Sequence, residues 1–406
     1  MLVYWIWLAE LPHASTAQKC QLLQHFSDPE EIYFSEEKAF QTVEGITEKT
    51  REALENKNLE TAYTILQECV DKGIGILTLA DAKYPEKLKN IYDPPVVLYY
   101  KGKLPDWERM PTIGVVGTRK ATPYGLQTAM RLSNQIAGCG GLIVSGGAFG
   151  GDTMAMQGAL RAEKPVVGVL GCGVDVVYPK SNRNLFDQVV ENGCLLSEYP
   201  PKTPPNGWHF PIRNRIISGI SNGVLVVEAP ESSGALITAR SAWEQGRDVF
   251  AVPGNIDVPA CVGSNSLLQQ GAIAVLSGWD VLKEYEASYP GVVKKQDVPV
   301  LVQENPEQKV AQKAVRPKIL EPFPAPDTKK FIDNGELSTY SGLGKKGSAL
   351  SPEEQAVAAL LTQQPQLMDD ILAVSDMPAG TVLSILTKLT LKGVVKNHPG
   401  RRVSLK

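Results

Sequence analysis
The feature that most restricts the fold is a set of six short, continuous apolar runs separated by helix-like patterns and glycine-rich junctions. The runs are Thr112–Gly117, Leu142–Gly146, Val166–Leu170, Cys194–Ser197, Gly223–Val227 and Val249–Val252. A strand with one wet face alternates apolar and polar residues. A run that is apolar throughout is buried on both faces, which points to parallel strands covered by helices. With right-handed helical crossovers between them, the expected fold class is α/β, a doubly wound parallel sheet of at least six strands. Ligands of such sheets bind beyond the carboxyl ends of the strands, where the junctions lie.

On either side the composition shifts, giving segments at 1–80, 90–283, 290–350 and 351–406. Residues 1–80 read as helical, with three- and four-residue apolar spacing over Thr16–Phe26, Pro29–Ala39 and Thr47–Leu54. Residues 42–54 hold a short Gly-Ile-Thr turn that resembles a helix-hairpin-helix or SAM-like unit. Its amides could touch a phosphate, but Glu44, Glu48 and Glu52 crowd the turn and favour a packing role. Residues 290–350 lose periodicity and carry Pro at 290, 299, 306, 317, 322, 324 and 326, the composition of a linker. Residues 351–406 read as helices over 352–362, 366–374 and 378–391, then a hairpin of 392–396 with 403–405. This arrangement resembles a winged helix. Its last 21 residues hold six Lys or Arg and no acid, so Thr381, Ser384, Lys388, Lys392, Arg401 and Arg402 are candidate DNA contacts. A protein-binding wing with a solvated basic face fits the same residues.

Composition narrows the classes. Among 406 residues, 43% are hydrophobic and 21% charged, which excludes wholesale disorder. The net charge of −3 argues against a chain that is basic throughout but not against a local basic groove. No two of the six cysteines are two residues apart, so no zinc ribbon or knuckle is expected, and no metal. No basic residue precedes the apolar Met1–Leu11 stretch, and no run reaches the roughly 20 apolar residues of a membrane span. A cytoplasmic protein with no membrane contact is expected.

The junctions carry the chemistry. Gly117–Gly125 (GTRKATPYG) leaves a strand and opens a helix, so its amides and helix terminus suit a phosphate, and Arg119 adds a planar fork of donors. Ser145–Asp152 (SGGAFGGD) packs four glycines, among them Gly146 and Gly147, before the next helix. Either loop alone is equally a tight strand-to-helix turn. Together with Gly171-Cys172-Gly173 and Lys180 they line one rim, which suits an extended phosphodiester better than one small cofactor. Neither G-x-G-x-x-G nor G-x-x-x-x-G-K-[ST] occurs at these junctions. In Phe210–Gly219 (FPIRNRIISG), Phe210 offers a stacking face and Arg213 and Arg215 offer charge. Pairing of those arginines with Glu198 or Glu228 is the structural alternative.

These blocks together resemble the DprA/Smf (DNA-processing protein A) family. The resemblance spans about residues 90–280: GTR at 117–119, SGGAFGGD at 145–152, GCGVDVVYP at 171–179, SEYP at 197–200, FPIRNRIISGIS at 210–221, EAPESSGALITA at 228–239, GRDVFAVPG at 246–254 and GSNSLLQQGA at 263–272. Thr118 stands where many relatives have Ser. Gly151 replaces a common Ile and is expected to loosen the second loop. The resemblance implies a Rossmann-like core that binds and protects incoming single-stranded DNA in natural transformation, loads the RecA recombinase and acts as a homodimer, with no cofactor and no catalytic residue. Carried over by position, Arg119 and Lys180 would bind phosphate, Phe210 would stack on a base, and Arg213 and Arg215 would assist. Gly117, Ser145, Gly146 and Gly147 would form the cradle.

The alternative is an enzyme resembling the nucleotide phosphoribohydrolases (lysine-decarboxylase-like), which cleave a nucleoside monophosphate. That family's P-G-G-x-G-T-x-x-E segment would fall at Glu228–Leu236, which lacks the glycine pair and the Thr-x-x-Glu. The four histidines, at 13, 25, 209 and 398, fall in separate elements, so no Ser/His/Asp constellation is legible.

Overall fold
The computed structural model describes residues 2–296, 351–364, 366–367, 371, 375, 377, 379–398 and 402–405. The chain divides into two units, Met1–Gln312 and Lys313–Lys406, each taken here by itself. The first begins with six helices: α1 (Leu2–Ala9), α2 (Thr16–His25), α3 (Pro29–Phe34), α4 (Glu37–Phe40), α5 (Glu48–Glu55) and α6 (Glu60–Asp71). A capping box starts α2, with Ser15 and Gln18 each accepting the other's amide. The single helix expected over Pro29–Ala39 is two, because Ser35 leaves the helix and donates its amide and hydroxyl to Glu31 O.

Nine strands follow: β1 (Gly75–Thr78), β2 (Val97–Gly102), β3 (Thr112–Val116), β4 (Leu142–Ser145), β5 (Val166–Leu170), β6 (Cys194–Ser197), β7 (Gly223–Val226), β8 (Asp248–Ala251) and β9 (Ile273–Ala274). They form one sheet in the order β1-β2-β6-β5-β4-β3-β7-β8-β9. The six apolar runs are β3 to β8, and neighbouring runs pair in parallel. The antiparallel β1 and β2 at one edge are not among the runs picked out from sequence.

Helices cover both faces. After the short α7 (Glu86–Lys89) come α8 (Pro123–Gly138), α9 (Gly151–Arg161), α10 (Arg183–Asn192), α11 (His209–Ile220), α12 (Gly234–Glu244), α13 (Val262–Gln269) and α14 (Gly278–Leu282). Ile113, Val115, Ile143 and Phe250 join a cluster with Leu132 of α8, Met156 of α9 and Val189 of α10. Val144, Val167, Val224 and Val249 join a second with Ile217 of α11 and Ala239 of α12. Fully burying such a side chain contributes about 1.5–3 kcal/mol, and the buried hydroxyls of Ser145 and Ser197 at the strand ends donate to backbone carbonyls.

The boundary expected between residues 80 and 90 is not a break. The strand β1 lies inside the segment read as helical, yet pairs with β2 in the sheet. Thr16 donates to Glu198 at 3.3 Å, Lys202 pairs with Glu68 at 2.6 Å, and Lys72 pairs with Asp175. The start of the expected linker also packs on the core: Val293 is buried and Lys294 N donates to Cys139 O at 3.1 Å. Residues 297–350 of that linker lie outside the described residues.

The second unit has its own core of Val357, Leu361, Ile371, Val382, Ile385, Leu386 and Leu389. Among the described residues it has helices Pro352–Ala359 and Ala379–Leu391 and a helical residue at Ile371, and its sheet runs in the order β10 (Gln366–Leu367), β12 (Arg402–Leu405), β11 (Val395–His398). The helix expected over 366–374 therefore begins as a strand paired with β12. Much of the remainder of that segment lies outside the described residues.

Candidate nucleic-acid interface
Strand order places the cleft. After β3 the chain lays down β4, β5 and β6 on one side, then returns to set β7 on the other flank of β3. The loops leaving β3 and β7 therefore diverge, and a cleft of about 400 Å³ opens between them. Gly117–Lys120 line it from the first loop, Ser232 and Ser233 from the second, and Phe210, Arg213 and Asn214 from α11.

Buried carboxylates brace these loops. Glu228 accepts from Thr122 N at 2.9 Å and Thr122 Oγ1 at 2.6 Å, and its carbonyl accepts from Thr118 N at 2.8 Å. Thr122 Oγ1 in turn accepts from Gly125 N and caps α8. Asp152 accepts from Gly117 N at 3.3 Å and Ala148 N at 3.4 Å; burial pushes its carboxyl up, against the pull of Arg213 and both amides. Gly151 does not loosen the second loop. A Cβ there would lie 2.8 Å from Gly117 Cα, so the glycine lets the two loops pack backbone to backbone.

This bracing engages part of the expected cradle within the fold. The Gly117 amide is taken by Asp152, and the buried Ser145 hydroxyl donates to Val115 O at 2.7 Å, so neither is offered to a ligand. The Gly146 and Gly147 carbonyls accept from Arg213 and Asn182, which makes both residues part of the internal frame.

The cations divide in the same way. Arg119 is exposed and makes no ion pair or side-chain hydrogen bond among the described residues; its guanidinium stands 5.0 Å from the Phe210 ring centroid. Half-buried Phe210 also packs 5.5 Å from the Tyr178 ring. Lys180, two residues on, is likewise exposed and unpaired among the described residues, beyond Tyr178 rather than in the cleft lining. It opens a short turn that Asn182 anchors through Gly147 O at 3.1 Å and Thr153 Oγ1 at 2.8 Å.

Arg213 and Arg215 do not project to the surface as phosphate contacts. Arg213 is 3% exposed and donates to Gly146 O, Val169 O and Asn214 Oδ1. Burial pushes its pKa down. Arg215 points elsewhere, to Glu198 at 2.7 Å and Asp93 at 3.0 Å. Burial opposes its charge, but those two carboxylates outweigh it and hold the pKa up. The pairing alternative with Glu198 is thus the one observed for Arg215.

Several residues at this rim were not singled out from sequence. Lys120 is exposed beside Arg119, Tyr178 backs Phe210, and the rings of Trp208 and Phe149 are 63% and 49% exposed. Aromatics set between strand and helix were the available signal. Among the described residues no cluster of three His, Cys, Asp or Glu could hold a metal, and no helix is long and apolar enough to cross a membrane.

In the second unit, Thr381, Ser384 and Lys388 are exposed on the Ala379–Leu391 helix. Lys392 is exposed and pairs with Glu354 at 2.6 Å within this unit. Arg401 lies outside the described residues, and Arg402 is placed by its backbone in β12.

A family model for DNA recombination-mediator protein A matches residues 75–286, and one for a DprA winged helix domain matches 345–401. The chain is 34% identical to the Protein Smf of Synechocystis sp., over 98% of this chain and 97% of that one. It is 46% identical to the DNA processing protein DprA of Bacillus subtilis, over 53% of this chain and 72% of that one. The X-ray structure of DNA processing protein A from Streptococcus pneumoniae superposes with a TM-score of 0.61 at 34% identity, covering 70% of this chain and 98% of that one. The two family matches follow the order of the core and the winged unit, and a relative similar over nearly the whole chain joins them: the chain belongs to the DprA/Smf family of DNA processing proteins.

Proposed function
We propose that this protein binds single-stranded DNA across the cleft between β3 and β7, as a binding protein rather than an enzyme. The observation that carries this reading is the exposed Arg119 guanidinium, unpaired among the described residues and set against the half-buried Phe210 ring at the mouth of that cleft. A cation takes the phosphate, and an aromatic face takes a base that is free to leave its stack, which favours single strands over duplex. Lys180 supplies a second cation farther along. The enzymatic alternative has less support, because the Glu228–Leu236 segment lacks the Thr-x-x-Glu that would carry its reactive carboxylate. Family membership supports a wider role: protecting incoming single strands in the cytoplasm during natural transformation and loading RecA, as a homodimer.

Titration of a labelled oligothymidylate by fluorescence anisotropy tests the cleft. Arg119→Ala is expected to weaken binding about tenfold on every sequence and to reduce the log–log salt slope by about 0.7, one phosphate contact. Unchanged affinity and slope would overturn the reading.

A further inference from the structure
Beyond Lys180, on the outer side of α9 and α10, a separate groove of about 380 Å³ has no part in the cleft. Gln157 and Arg161 line it from α9, Ser181 from the turn after Lys180, and Asn184 and Gln188 from α10. Two properties set it apart. No carboxylate lines it. Among the described residues, the side chains of Gln157, Arg161, Asn184 and Gln188 make no hydrogen bond or ion pair, although all but half-buried Gln157 are exposed.

Amide side chains that brace a fold find partners within it, as Asn182 does. Three free amides, each able to donate and accept, beside one free guanidinium form a surface that matches nucleobase edges and one phosphate. Such amides can serve any base, which suits a protein that reads no sequence. A short backbone segment links the groove to the rim of the cleft. Phe210 meets Tyr178, the chain runs Tyr178-Pro179-Lys180-Ser181, and Ser181 lines the groove, with Asn182 tying that turn to the second loop.

We propose that this groove is a second nucleotide subsite, which takes the bases and one phosphate of the same single strand after it leaves the cleft past Lys180. The proposal rests on the cleft reading above. Arg161 holds the phosphate, and Gln157, Asn184 and Gln188 hydrogen-bond the base edges.

The test uses the full chain and two oligothymidylates, one of about 4 nucleotides that fills the cleft alone and one of about 16 that reaches the groove. The double variant Arg161→Ala, Gln188→Ala alters exposed side chains and is expected to fold as the parent does, checked by an unchanged thermal midpoint. It should bind the short oligomer like the parent and the long one about tenfold more weakly, with the salt slope on the long one lower by about 0.7. Equal affinity and slope on the long oligomer would overturn the subsite. Arg119→Ala, measured alongside, should lose affinity for both lengths. If it loses neither, the cleft reading itself fails; if it loses both while the double variant loses neither, only the groove fails.

Discussion

Arg119 and Arg213 approach the same phenyl ring from two different regions of the molecule. Their guanidinium carbons stand 5.0 and 5.9 Å from the Phe210 centroid, yet one is exposed at the rim and the other is 3% exposed beneath it. The rim arginine has no internal acceptor among the described residues and stays available to a ligand. The lower one holds the carbonyls of Gly146 and Val169, so it ties together the carboxyl ends of β4 and β5. An arginine therefore gains a functional meaning here from what its donors lack, not from its closeness to the site.

The largest effect that can break this division is at Arg215. Arg215→Ala leaves half-buried Glu198 and Asp93 without their counter-charge, and should lower stability by about 3 kcal/mol in urea titrations. A loss below about 1 kcal/mol would mean that this arginine is as solvated as Arg119, and the distinction between rim and interior would collapse. Next in size, Phe210→Ala should weaken single-strand binding by about 1–3 kcal/mol, the loss of one base stack, in the same anisotropy titration. A change confined to the thermal midpoint would make Phe210 a packing residue.

The smallest effect sharpens the rule with an acid. Asp175 follows the β5 junction, but its carboxylate is engaged by Lys72 and by Lys202 N at 2.8 Å. Burial pushes its pKa up, and the Lys72 hydrogen bond, the Lys202 amide and the Lys72 charge together bring it below the ordinary value. Its stabilisation is therefore full above the unfolded value of roughly 3.9 and fades as pH falls through the lowered folded one. Asp175→Asn should lower stability by about 1 kcal/mol at neutral pH, with the gap to the parent closing in acid. A gap that persists at low pH would assign the effect to packing instead of charge.

The parallel sheet was legible because burial on both faces leaves a signature inside each strand. The antiparallel β1 was not: GILT is only four residues long, begins three residues after a helix, and acquires its identity from pairing with Tyr100 to Val97. At the site, the loops and Arg119 could be read from type and position. Residue type alone left Arg213 and Arg215 open between ligand and internal pairing, and residues two apart on a helix point about 200° apart, so the two find different partners. The structural duty of Gly117 and Ser145 depends on Asp152 and Val115, contacts that no spacing within either loop reveals.

The junction of β2 with β6 has a consequence for synthesis. Tyr99 finds its partner in Ser197, about a hundred residues later. At ordinary rates of translation, roughly 5–20 residues per second, the VLYY strand and the helices beside it wait several seconds for the segment that completes their sheet. During that interval an apolar strand with an unpaired side is exposed to other nascent chains. Its first protection is the short antiparallel partner β1, which leaves the ribosome before it and can cover one flank at once.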